Sequence, residues 1–213
     1  MKYTAHGFLM VGMVTAFCTH AQDPVEKIIA FISKEEQSCN WVKEYPIVGN
    51  LIKQYNLKVG CEVGVAYGLQ SKYLLEHTAV EKLYSIDPYR HFDTGYNDFM
   101  NFPQQYFDTL FERVKTRLSP FEGRSVLLRT TSTEAAQQFA PNSLDFAYID
   151  ANHSYEAVKE DLNAWWDKVR SGGLMIGDDY IVFATTAQAV NEFVKQHKLH
   201  LHKQGNKWWF VKP

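Results

Sequence analysis

The sequence has few cysteines, no cluster of one charge and no apolar run of membrane-spanning length. Its 213 residues carry 22 Lys and Arg against 24 Asp and Glu, which gives a formal net charge of −2. No basic run is interleaved with aromatic residues, so neither nucleic acid nor an anionic membrane is expected as a partner. Hydrophobic residues are 46% and charged residues 22% of the chain, which argues against disorder. The length suits one well-filled domain.

The N-terminal residues 1–21 resemble a secretory signal peptide. Lys2 precedes an apolar stretch over residues 8–17, and small residues near Ala21 suit a cleavage site. The stretch is too short for a stable membrane span. Two interpretations stay open: a cleaved signal peptide, or an N-terminal helix that packs on the domain or on another subunit of a homo-oligomer.

Three cysteines are too few to decide the compartment. Cys18 lies inside the N-terminal stretch, so only Cys39 and Cys61 would remain in a processed chain. Cys61 falls in an apolar strand pattern, where a small buried residue is expected. A disulfide between these two stays open, because their spacing neither demands nor forbids it.

Helix-like and strand-like segments alternate along the rest of the chain. A first helix is predicted after Asp23, with Pro24 at its first position, inside a helical extension over residues 22–44. Five short apolar runs separated by helical periodicity follow over residues 45–213, and "KLHLHKQG" with "KWWFVKP" predicts a terminal hairpin. This order predicts an α/β fold: a Rossmann-like, doubly wound, mostly parallel seven-stranded sheet with a C-terminal antiparallel hairpin.

Two helix boundaries are predicted from local signals. Ser132 and Thr133 are candidate caps of the helix in "STEAAQQFA", before Glu134. The segment "SYEAVKEDLNAWWDKVR" predicts a helix that extends to Arg170, before the glycines that follow. Its apolar face is predicted to contain Val158, Leu162, Trp165 and Val169.

The first strand-to-helix turn, "CEVGVAYGLQS", contains Glu62, Gly64 and Gly68. Glycine permits a tight turn and lets a ligand approach the backbone, although a plain turn uses the same residues. The spacing differs from the GxGxxG of dinucleotide enzymes, which argues against a nicotinamide oxidoreductase. Asp87 ends the second strand about twenty residues later, where a carboxylate can bind ribose hydroxyls. Its alternative role is to cap the turn before Pro88.

This acid-x-Gly-x-x-x-Gly loop, with an acid ending the next strand, resembles the class I S-adenosylmethionine-dependent methyltransferases. The resemblance covers most of the chain. It implies that the loop from Gly64 to Gly68 lies along the methionine part of the cofactor and that Asp87 holds the ribose. By position, Thr131 or Ser132 would lie near the adenine, where short polar residues also suit a helix cap.

Further aspartates end two more strands that the fold would place side by side. Asp150 ends "FAYID", and Asp178 and Asp179 end "MIGDD". Clustered carboxylates repel one another unless a cation lies between them, and hard oxygen ligands select magnesium, manganese or calcium over zinc. Each aspartate alone would suit a helix cap, but their shared position favours a divalent metal site. His153, three residues after Asp150, is a candidate general base or a structural turn residue.

The stretch "DANHSYEAVKEDLNAWWDKVRSGGLMIGDDY" resembles a small-molecule O-methyltransferase branch of the same superfamily, including enzymes that act on sugar hydroxyls of natural products. The resemblance implies that Asp150, Asp178 and Asp179 bind magnesium and that His153 is the base. In the sugar-modifying enzymes the first acid of the pair is often glutamate, whereas Asp178 is shorter.

The expected activity is metal-assisted methylation of a hydroxyl on a small molecule. The alternative is a non-catalytic secreted binding protein that kept the fold, because S-adenosylmethionine is cytoplasmic whereas the N-terminus suggests secretion. An aromatic insert over residues 89–106 follows the second strand. It is either a substrate lid or a surface excursion packed by its own aromatic side chains.

Overall fold

The computed structural model describes residues 23–94 and 101–213. The helices of this part are α1 (Pro24–Ser38), α2 (Tyr45–Gln54), α3 (Leu69–His77), α4 (Gln104–Leu118), α5 (Ser132–Ala136), α6 (Tyr155–Trp166) and α7 (Ala184–His197). The strands are β1 (Val59–Val63), β2 (Lys82–Ile86), β3 (Ser125–Leu128), β4 (Leu144–Ile149), β5 (Val169–Gly177), β6 (His202–Gln204) and β7 (Lys207–Val211). Short 3-10 helices occupy Asn40–Glu44 and Ser119–Phe121.

All seven strands form one sheet in the order β3-β2-β1-β4-β5-β7-β6. β1 to β5 pair in parallel, whereas β7 pairs antiparallel with both β5 and β6. The predicted fold class is therefore confirmed, including the C-terminal hairpin. The strand order reverses between β1 and β4, and the carboxyl ends of these central strands meet at one edge.

Each face of the sheet carries its own hydrophobic core, because side chains alternate along a strand. In β4, Phe146 and Tyr148 join the core under α2, α3 and α4, while Ala147 and Ile149 join the core under α5, α6 and α7. Cys61 is buried, as expected, and forms no disulfide with Cys39.

Local capping signals account for the starts of α1 and α5. Asp23 caps α1 as predicted, since its side chain accepts from the Val25 N–H at 3.0 Å. The predicted caps of α5 are wrong by one or two residues. Thr131 is the cap, because Glu134 then stands at the third helical position and completes a capping box.

The predicted end of α6 is also wrong. Val158, Leu162 and Trp165 lie on its buried face as expected, but α6 ends at Trp166 and Val169 already belongs to β5. Val169 fits the helical period, yet it pairs with Leu144 of β4 and is buried there. Tertiary pairing thus overrides the local pattern.

Two ion pairs connect the N-terminal helix α1 to α4. Glu36 accepts from Arg113 at 2.7 Å and from Arg117 at 2.9 Å. Across the described ranges, no helix combines the length and apolarity that crossing a membrane would need. The predicted signal peptide, residues 1–21, lies outside the described residues.

Candidate functional site

A cavity of about 980 Å³ opens at the carboxyl ends of the central strands. This is the edge at which open α/β sheets bind their ligands. All the site residues predicted from the sequence except Gly68 line this cavity. They are Glu62, Gly64, Asp87, Thr131, Ser132, Asp150, His153, Asp178 and Asp179.

The backbone conformation and close packing of the first turn both require its glycines. Gly64 has a φ of +89°, and a Cβ there would overlap the backbone carbonyl of Asp150. Gly68 has a φ of +69°, precedes α3, and would bring a Cβ within 2.7 Å of Val114. The loop is therefore held tightly between the end of β4 and α4, with Gly64 at the cavity wall and Gly68 behind it.

Asp87 fastens this loop to the end of β2. Its Oδ2 accepts from the N–H groups of Val65 and Ala66, both at 3.0 Å, and its Oδ1 accepts from the Tyr89 N–H at 2.8 Å. Burial raises the pKa of Asp87, and the three N–H groups oppose that rise. A carboxylate offers about four acceptor positions, so room remains for one hydroxyl of a ligand.

Glu62 lies beneath the loop in a buried network. It is 1% exposed and accepts from the Ser71 hydroxyl, whose oxygen lies 2.7 Å from the Ser85 hydroxyl. Burial raises the pKa of Glu62 to about 8, although the bond from Ser71 opposes the rise. The raised pKa favours the neutral form of Glu62, which would shape the floor of the cavity without adding charge.

The two residues predicted near an adenine both have partners inside the protein. The Thr131 hydroxyl donates to Glu134 at 2.6 Å within the capping box. Ser132 accepts from the Trp165 indole N–H at 2.9 Å and hydrogen-bonds the carboxylate of Asp161. Asp161, which the sequence analysis did not single out, is 5% exposed and lines the cavity.

The acids of β4 and β5 meet at the opposite end of the cavity, as predicted. Asp150 follows β4, and Asp178 and Asp179 follow the adjacent strand β5. The Tyr148 hydroxyl donates to Asp150 at 2.8 Å. Burial and the negative charge of Asp178 raise the pKa of Asp150. Several acidic groups therefore lie close enough at this rim to influence one another's pKa.

A buried lysine forms an ion pair with one of these acids. Lys207 is 1% exposed at the start of β7, and its ammonium donates to the Asp178 carboxylate. Glu44 approaches the same ammonium at 3.8 Å. The Trp208 indole N–H also donates to the Asp178 carbonyl at 2.9 Å. The hairpin thus holds Asp178 from behind.

His153 is held by the other acid of the pair. Its Nε2 lies 2.7 Å from Asp179 Oδ2, and its ring stacks on Phe183 with the centroids 4.2 Å apart. Asp179 also accepts from the Asn206 amide at 3.3 Å. These contacts set the orientation of the imidazole at the cavity edge.

The donors at this rim fit a divalent cation. One ligand atom each from Asp150, His153 and Asp179 lies within 4.8 Å of the others. The two carboxylates suit magnesium or manganese, whereas the imidazole as a third ligand would suit softer divalent ions. Asp178, the third predicted ligand, is not part of this group and lies against Lys207.

The described part of the aromatic insert contributes a wall to the cavity. Tyr89 is 1% exposed with a φ of +42°, and its hydroxyl donates to the Ala66 carbonyl at 3.0 Å. It therefore fastens the glycine loop. Arg90 stacks over Phe92 at 4.5 Å, and both line the cavity with Thr94. The predicted lid residues Tyr96, Asn97 and Phe99 lie outside the described residues.

Two residues that the sequence analysis missed had recognisable signals. Asp161 falls between Val158 and Leu162 in the helical period, so the pattern itself puts an acid on the buried face of α6. Lys207 begins a strand of otherwise apolar residues, where a buried cation needs an acidic partner. The identity of that partner, Asp178, depends on strand pairing.

Structures of known proteins share this architecture. An O-methyltransferase from Bacillus cereus, solved in complex with SAH, matches with a TM-score of 0.61 at 11% identity, over 92% of this chain and 94% of that chain. The O-methyltransferase TomG from Streptomyces achromogenes, involved in tomaymycin synthesis and solved with SAM, matches with a TM-score of 0.61 at 10% identity, over 90% and 91%. The fold is that of O-methyltransferases.

The sequence itself matches a family model. Residues 61–180, more than half of the chain, match the family described as "Methyltransferase domain". The chain belongs to this methyltransferase family, and the class of enzyme predicted from the sequence is confirmed. An uncharacterized protein of Acanthamoeba polyphaga mimivirus, R132, is 37% identical over 57 residues, which are 25% of this chain and 26% of that protein. The chain thus matches about a quarter of that relative.

Proposed function

We propose that the protein transfers a methyl group from S-adenosylmethionine to a hydroxyl of a small molecule, assisted by a divalent cation. This proposal rests on one observation: two distinct sets of residues line the same cavity. The glycine loop with Asp87 stands at one end, and Asp150, His153 and Asp179 stand at the other. A volume of about 980 Å³ has room for a cofactor and an acceptor together.

The cofactor is proposed to lie along the loop and over the end of β2. Asp87 has acceptor capacity left for a ribose hydroxyl, and the backbone at Gly64 has no side chain to keep a ligand away. The SAM and SAH in the TomG and Bacillus cereus structures support this choice of cofactor.

Asp150 and Asp179 are proposed to hold the cation, with magnesium as the expected ion. A bound cation would supply positive charge that lowers the pKa of the acceptor hydroxyl and aligns it. His153 is proposed to take the hydroxyl proton, and Asp179, 2.7 Å from the ring, would stabilise the imidazolium that forms. The acceptor oxygen then forms its bond to the methyl carbon as the carbon–sulfur bond breaks, which leaves S-adenosylhomocysteine.

Calorimetric titration of S-adenosylmethionine, with and without magnesium, tests the proposal on wild type and Asp87→Ala. We expect micromolar binding to wild type and a loss of about 100-fold or more in Asp87→Ala, because the ribose contact and the loop anchor disappear together. His153→Ala should keep cofactor affinity and lose about 10²- to 10⁴-fold in turnover once an acceptor is found.

No binding to wild type would overturn the proposal and favour a binding protein that kept the fold. If Asp87→Ala still bound S-adenosylmethionine with unchanged affinity, the choice of cofactor would stand, but Asp87 would not be its ribose ligand. An acceptor screen with unchanged turnover in His153→Ala would remove the assigned base.

A further inference from the structure

Asp161 is a buried acid that the proposed chemistry does not use. It lies in the second turn of α6, 5% exposed, on the face that packs against α5. It also lines the large cavity. Asp161 can therefore contact a ligand in the cavity although little of its surface is accessible to water.

The carboxylate of Asp161 has too few donors for its burial. Ser132 is its hydrogen-bond partner, and the same Ser132 oxygen already accepts from Trp165 at 2.9 Å. Within residues 23–94 and 101–213, no lysine, arginine or histidine forms an ion pair with Asp161. It also lies outside the group of candidate metal ligands. A buried carboxylate in this state is costly, and donors from a bound ligand would offset the cost.

The sheet indicates which part of the cofactor reaches Asp161. Asp87 ends β2 and would hold the ribose, and β3 pairs with β2 through Ile86 and Leu128. A base that extends from a ribose over the end of β2 toward β3 arrives at the start of α5. There Ser132 holds Asp161 in place.

We propose that Asp161 recognises the adenine base by accepting a hydrogen bond from its exocyclic amine, which rests on the proposed use of S-adenosylmethionine. The amine is a donor-only group, which matches an acceptor-only carboxylate. Ser132 is a positioning residue, since it hydrogen-bonds the carboxylate, and Trp165 in turn donates to the Ser132 hydroxyl oxygen. The raised pKa of Asp161, about 7 because of burial, agrees with a carboxylate that lacks a donor in the free protein.

The test compares S-adenosylhomocysteine with S-inosylhomocysteine, in which an oxygen acceptor replaces the amine. We expect wild type to bind the adenosyl compound about tenfold or more tightly than the inosyl compound, because two acceptors would otherwise face each other. Asp161→Asn keeps the side-chain shape but adds an N–H donor, so it should narrow or invert this ratio. Calorimetry gives each affinity.

Glu156→Gln is the matched control, since Glu156 is an exposed acid of the same helix that does not line the cavity. It removes the same charge and should leave the adenosyl-to-inosyl ratio unchanged. A purely structural role for Asp161 would lower the thermal stability of Asp161→Asn without changing the ratio, and that outcome overturns the inference. Equal binding of both compounds by wild type would also overturn it. Failure of wild type to bind either compound would instead remove the proposed function on which the inference depends.

Discussion

The two ends of the cavity satisfy their buried acids in different ways. At the end formed by β1 and β2, Glu62 accepts from a serine hydroxyl and Asp87 from three backbone N–H groups. At the end formed by β4 and β5, Asp178 is held by the ammonium of Lys207 and Asp179 by the imidazole of His153. The first end uses neutral donors, whereas the second adds groups that carry or can acquire charge to neutral donors such as the Tyr148 hydroxyl on Asp150.

This difference matches the work expected at each end. Neutral donors fix the shape of a loop without adding charge, which suits a surface that only has to hold a cofactor. Charged partners maintain a strong electric field, which suits a rim where the hydroxyl of the molecule to be methylated has to lose its proton. The comparison can be tested from either end of the cavity.

The largest effect is expected at the charged end, from Lys207→Met. Removal of the ammonium leaves Asp178 buried without its counter-charge, which typically costs about 3 to 5 kcal/mol. We expect the free energy of unfolding, measured by urea denaturation, to fall by that amount at neutral pH.

The double variant Lys207→Met with Asp178→Asn is the matched control, because it removes both charges and keeps similar volumes. It should recover most of the lost stability. If the single variant lost less than about 1 kcal/mol, the pair would behave like an exposed ion pair, and the contrast between the two ends would fail.

The same pair marks the limit of prediction from sequence. Local patterns predict the presence of the strands, although not the start of β5, as well as the Asp23 cap and the meeting of Asp150 with the 178–179 pair. Each of these depends on a short stretch plus one rule of fold geometry. The partner of Asp178 lies 29 residues away and becomes adjacent only when β7 pairs with β5. Magnesium and the ligand role of Asp178 stay predictions.

The next effect is expected at the neutral end, from the pH dependence of stability. Glu62 has a pKa raised from 4.5 to about 8 by burial, so the folded protein binds its proton more tightly than the unfolded chain does. The stability from this proton is fully present below pH 4.5 and is lost as the pH rises through 8. The loss amounts to at most about 1.4 kcal/mol per pH unit, on the order of 3 kcal/mol between pH 5 and pH 8.

Glu62→Gln should remove this dependence, since its amide oxygen can still accept from Ser71 but cannot ionise. Urea denaturation at several values between pH 5 and pH 8 gives the two profiles. Wild type should lose stability relative to Glu62→Gln as the pH rises. Parallel profiles would mean that Glu62 is already ionised in the folded protein, and the floor of the cavity would then carry charge.

The smallest effect separates the two roles given to Thr131. The resemblance places it near the adenine, whereas the structure engages its hydroxyl with Glu134 in the capping box of α5. If the cap is its role, Thr131→Ala should lower the free energy of unfolding by about 1 kcal/mol and leave the calorimetric affinity for S-adenosylmethionine unchanged. Thr131→Ser, which keeps the hydroxyl, should match wild type in both measurements. A loss of affinity at unchanged stability would reverse the assignment. The neutral end of the cavity would then contact the cofactor through Thr131 itself, and the capping box would be secondary to binding.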